Sequence, residues 1–166
     1  MSKDELVILS NVRLHAVRIC FKPYREWQES INAAGPNTPN DCDVRKVGDQ
    51  YPSMNTEEIR EDLILLNFPN GGGSFNNALN WAQSQRLQST VPQEVFAIGE
   101  QYPGLHEELE QDLMFVSSTK ICSAFGERFA CCIRWNGSGR LTCLNSLGYF
   151  DTSHDWFAFR DPVQRI

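Results

Sequence analysis

A chain of 166 residues with 41% apolar and 22% charged residues can bury a core of its own, which excludes whole-chain disorder and the need for a stabilising metal or disulfide framework. There are 15 Lys and Arg against 21 Asp and Glu, a net charge of −6 with no basic run, which argues against direct nucleic-acid binding and for a protein partner. The opening Met1-Ser2-Lys3-Asp4-Glu5 is not the start of a secretion signal and no stretch approaches a membrane span, so no membrane role and a cytoplasmic location are expected.

In chain order, Leu6–Leu9 suits a short strand and Val12–Phe21 a longer one. In the longer one, Val12, Leu14 and Ala16 share one face and Val17, Ile19 and Phe21 the other, a change of phase that predicts a bulge. Tyr24–Ala34 reads as a short helix and the Gly- and Pro-rich Gly35–Tyr51 as a loop. Asn55-Thr56-Glu57-Glu58 pairs a capping oxygen with first-turn acids and predicts a helix over Thr56–Leu66. Gly71-Gly72-Gly73 lacks the Lys of a phosphate loop and reads as a flexible break.

Ser74 caps a helix whose stripe is Phe75, Ala78, Leu79 and Ala82. Thr90-Val91-Pro92-Gln93 opens another, with the Thr90 hydroxyl as cap and Pro103-Gly104 as its stop. Period two then takes over. Phe115–Thr119 is a strand; Phe129, Cys131, Ile133 and Trp135 form the core face of the next, with arginines on a solvent face opposite. Asn136-Gly137-Ser138-Gly139 is its hairpin turn, Leu141 and Cys143 lie on the return, and Trp156–Phe159 close the domain.

Four of these segments carry a resemblance over about Phe68–Arg160: Ser74–Ala82, Pro92–Phe96, Phe115–Thr119 and Trp156–Arg160. Together they resemble the C-type-lectin-like superfamily, in the bacterial and phage branch with the formylglycine-generating, sulfatase-modifying type of domain. The resemblance implies an α+β fold with two helices packed on a twisted antiparallel sheet and a scaffold whose loops bind. Residues 1–67 would be an N-terminal strand and helix extension within one domain of 1–166. The family's calcium signatures and paired active-site cysteine motif have no counterpart here.

Side chains for chemistry are sparse. Cys20, Cys42, Cys122, Cys131, Cys132 and Cys143 include no C-x-x-C knuckle and are expected as reduced thiols, with no metal and no cofactor. In a strand, Cys131 and Cys132 point to opposite faces. His15, His106 and His154 lack a triad setting, and Glu107, Glu108, Glu110 and Asp112 read as a solvated face. No catalytic residue is assigned. Arg134, Asn136, Arg140, Tyr149 and Asp151 are the candidate binding residues, because Arg and aromatic side chains dominate interface hot spots. The expected function is a non-enzymatic, phage-borne protein-binding module. Two other readings stay open: an acidic inhibitor filling the basic groove of a nucleic-acid-binding protein, and a cysteine-dependent enzyme related to the formylglycine-generating oxidases.

Overall fold

The computed structural model of the chain describes residues 12–71, 73–150 and 153–162, and the expected strand at Leu6–Leu9 lies outside them. Strand β1 (Arg13–Phe21) runs antiparallel to β2 (Ile59–Asn67) in unbroken register, from Arg13 opposite Asn67 to Phe21 opposite Ile59. The expected bulge is therefore absent from β1. Its change of phase arises because two layers cover its two halves: Val17, Ile19 and Phe21 pack into one core, and Val12 packs against a second core on the opposite face. Leu14 and Ala16, between them on the second face, stay exposed.

The helix expected over Thr56–Leu66 is instead β2. Leu63 and Leu65 face the first core and Leu66 the second, so the run Leu63-Ile64-Leu65-Leu66 is that of a central strand buried on both faces. Pairing with β1 on one side and with β8 (Asp155–Arg160) on the other overrides the local cap at Asn55-Thr56-Glu57-Glu58.

Among the described residues, four α-helices form: α1 (Trp27–Ala34), α2 (Phe75–Ser84), α3 (Pro92–Gln101) and the single turn α4 (Leu105–Glu108). Ser74 caps α2 as expected, its Oγ accepting from the Asn77 N–H at 3.1 Å. At α3 the cap moves by one residue. Val91 is the N-cap and the Glu94 carboxylate accepts its N–H at 2.9 Å, while the Thr90 hydroxyl donates to the Ala158 carbonyl at 2.8 Å.

The remaining strands are β3 (Gln88–Ser89), β4 (Met114–Ser117), β5 (Cys122–Ala124), β6 (Glu127–Asn136) and β7 (Gly139–Ser146). Across the sheet the order is β1-β2-β8-β4-β6-β7, with β3 continuing the β4 track beside β8 and β5 continuing it beside β6. Every pairing is antiparallel except β4 with β8, so the α+β fold holds a mixed sheet rather than the antiparallel one expected. The parallel pair follows from the chain leaving the far end of β7 and crossing back before β8 begins.

Helices cover both faces. Trp27 and Ile31 of α1 and Val95, Phe96 and Ile98 of α3 bury Leu63, Leu65, Ile133, Trp135 and Trp156. On the other face, Phe75, Ala78 and Trp81 of α2 join Phe150 over Leu66, Ala130, Cys132, Phe157 and Phe159. Phe75, Phe150 and Phe157 contact one another at ring separations of 5.5–5.9 Å, and each buried ring contributes roughly 2 kcal/mol or more. This second layer corrects the expectation of a solvent face on β6: Ala130 and Cys132 are fully buried, Arg134 is half-buried, and Arg128 alone of that row is exposed.

Candidate functional site

Ala124 pairs with Glu127, which leaves Phe125 and Gly126 as the two-residue turn between β5 and β6. Their φ angles are +52° and +75°. Both central residues are thus left-handed, the geometry for which Asn-Gly is favoured and which costs an L-residue with a bulky side chain about 1 kcal/mol or more. The strain does not serve packing, because Phe125 is 67% exposed. Tyr149, in the single 3₁₀ turn that leaves β7, is 79% exposed, while its neighbour Phe150 turns into the second core. Phe129 faces Ser146 in the β6–β7 ladder, so the turn into β6 and the turn out of β7 lie at one end of that hairpin. Phe125 and Tyr149 are the two most exposed large apolar side chains of the described residues.

The expected binding residues divide. Asn136 and Arg140 flank the hairpin turn at the opposite end of β7 from Tyr149, with Arg134 two residues before it; Asp151 lies outside the described residues. Asn136 Oδ1 accepts from the N–H and Oγ of Ser138 at 2.9 and 2.7 Å, which closes the turn. Arg140 Nε donates to the Ala34 carbonyl at 3.0 Å and so caps the end of α1. Arg134 Nε is buried without a hydrogen-bond partner among the described residues. Phe125 is not among the residues that the sequence singles out, because Gly126 is its only local turn signal.

Four of the six thiols sit in two pairs. Cys132 and Cys143 are directly opposed across β6 and β7, on the α2 face, and Cys132 also lies 3.0 Å from the Ser117 hydroxyl. Cys131 points to the other face, as alternation requires, and hydrogen-bonds Cys122. That hydrogen bond, against the opposing effect of burial, lowers the Cys122 thiol to about 7. Burial raises Cys131 and Cys132 well above the ordinary thiol range, which keeps both protonated and poorly nucleophilic.

Beneath the start of α3, Arg160 clamps the fully buried Glu94 with Nη2 at 3.0 Å and Nε at 3.1 Å, and reaches Glu61 at 3.8 Å. Burial, then a hydrogen bond to Glu94 and its charge, raise Glu61 to about 8. Burial also opposes charge on Glu94, but hydrogen bonds from Glu61, Arg160 and the Val91 N–H outweigh it, and Glu94 falls below the usual carboxylate range. One guanidinium thus serves two carboxylates, and the second keeps its proton.

At the other end of the sheet, Arg13, Asn67, Glu110, Gln111, Asp112 and His154 line a shallow polar depression of about 300 Å³. Arg13 stacks over Trp156 at 5.3 Å, and Trp156 Nε1 donates to Gln111 at 3.2 Å. Asn67 Nδ2 donates to the carbonyls of Ser153 and Asp155, both at 2.9 Å, and so fixes the start of β8. Among the described residues, no group of three or more His, Cys, Asp or Glu is placed to hold a metal ion, and no helix is long and apolar enough to cross a membrane. No family model matches the chain, and neither does any curated protein or solved structure.

Proposed function

We propose that the chain is a non-enzymatic protein-binding module whose contact surface is centred on Phe125, with Tyr149 at its margin. The observation that carries this reading is an exposed aromatic ring held at positive φ, where local energetics favour Asn. An outlier that stability does not explain points to a role in contact, and rigid aromatic side chains are the usual anchors of interfaces. Burial of Cys131 and Cys132 supports a binding role over a thiol-dependent enzyme. The same proposal includes the C-type-lectin-like scaffold, supported by α2, α3, β4 and β8 falling on the four segments that carry the resemblance. It also includes a cytoplasmic setting, which suits Cys132 and Cys143 as facing free thiols.

Phe125→Asn separates the two roles a turn residue can have. The variant should melt higher, by an amount equal to about 1 kcal/mol, because Asn tolerates the left-handed turn. It should also lose the proteins that photo-crosslink to a probe placed at Tyr149 of the otherwise native chain. A variant that melts higher and keeps the same crosslinked partners would sink the reading.

A further inference from the structure

We infer that the outer edge of β1 at Leu14–Ala16 is a strand-addition site for an extended peptide that alternates apolar and acidic residues. Cys20 exchanges hydrogen bonds with the Gln101 side chain, its N–H donating to Oε1 and its carbonyl accepting from Nε2, both at 2.8 Å. Its backbone therefore faces away from β2. Because the register with β2 is unbroken, Arg18, Ala16 and Leu14 face outward as well. Tyr102 Oη covers the Arg18 carbonyl at 2.6 Å. No described residue hydrogen-bonds outward to the Arg18 N–H or to the N–H and carbonyl groups of Ala16 and Leu14. An edge left open in this way is a template for another strand.

The side chains around the open stretch select the occupant. On the α2 face, Leu14 is 49% exposed and Ala16 is exposed, so the added strand places apolar residues there. On the other face stand Arg13 and His15. Residues 12–25 hold Arg13, Arg18, Lys22, Arg25 and His15 and no Asp or Glu, within a chain of net charge −6. Acidic residues on that face of the added strand complement Arg13 and His15. Arg18 is already paired with Asp62 at 2.8 Å, and Glu110 and Asp112 line the same depression as Arg13, so each single charge contributes modestly.

The test titrates the full chain with a dye-labelled, end-capped octapeptide of alternating Val and Glu, and with its Val and Lys counterpart, by fluorescence anisotropy. Expected are saturable binding of the Glu peptide, at least tenfold weaker binding of the Lys peptide, and slowed hydrogen exchange at the amides of Leu14, Ala16 and Arg18. Ala16→Pro removes an outward donor without touching the β1–β2 ladder and should abolish binding with the fold intact. Arg13→Glu should weaken it about threefold. Phe125→Asn should bind the peptide unchanged, so this site and the aromatic surface fail independently. Three results would overturn the inference: no saturable binding, equal binding of both peptides, or protection confined to other amides. So would a wild-type dimer in sedimentation equilibrium that Ala16→Pro dissociates, since the occupant would then be a second copy.

Discussion

The two outer edges of the sheet are closed by different means. Along β7, residues 35–42 run beside the first half of the strand and satisfy it at Arg140 and Thr142. Asn37 N–H donates to the Arg140 carbonyl at 3.1 Å, Asn37 Oδ1 accepts from the Arg140 N–H at 3.2 Å, and Thr38 Oγ1 accepts from the Thr142 N–H at 2.8 Å. Along β1, two side chains at the end of α3 cover one half, and no described residue hydrogen-bonds the outer edge of the other. The difference shows what closing an edge requires. A loop that packs on its strand can hold backbone groups at successive positions, whereas a helix crossing the strand meets it only where its last turn passes.

The sharpest way to break this contrast is Gly35→Ala. A Cβ at Gly35 would lie 2.6 Å from the Thr142 N and 2.7 Å from the Leu141 carbonyl carbon, both backbone atoms that cannot turn aside. The 35–42 segment must then lift off β7, at a cost of about 3 kcal/mol, visible as a lower melting temperature and faster hydrogen exchange at Thr142. An unchanged melt would mean that the segment is not seated on the strand.

A second test addresses the tether of α3, the helix that guards β1. Glu61 has a folded pKa raised to about 8, so the folded state binds a proton that the unfolded chain releases at ordinary carboxylate pH. Its contribution is complete below the unfolded value and is lost as pH rises through about 8. Melting temperature should therefore decline from about pH 5 to pH 8, and Glu61→Gln, which mimics the protonated acid, should flatten that decline. A wild-type profile that rises over this range would contradict the shared-proton arrangement.

The smallest expected effect is that of Gln101→Ala. It uncovers the Cys20 N–H and carbonyl to water, at a cost of about 1 kcal/mol or less. It also lengthens the open edge of β1, so the Val and Glu octapeptide should bind severalfold more tightly. Unaltered peptide affinity would indicate that the added strand stops at Ala16.

Much of the hairpin architecture was legible because its signals are local. Alternation set the faces of β6, Asn136–Gly139 set the turn, and Ser74 and Pro92 set the starts of α2 and α3. The aromatic closing strand was legible for the same reason. The candidate site was read less well. Tyr149 is exposed, whereas Arg140 and Asn136 hydrogen-bond α1 and their own turn, and Phe125 carries no mark beyond the Gly that follows it.

What the sequence determined by itself was therefore the class of each locally coded element, the acidic balance and the opposite facing of Cys131 and Cys132. Tertiary structure decided the rest. β2 became a strand because two neighbours supplied hydrogen bonds along its length and two cores took its Leu residues, an outcome that no window around Thr56 contains. The two-residue β3 and three-residue β5 exist only because β8 and β6 offer them partners. Leu14 and Ala16, although apolar, stay exposed because α2 lies over β8 and β6 and leaves that part of β1 uncovered. Burial of a strand face depends on what the chain brings to it from elsewhere, and periodicity records only the face, not the cover.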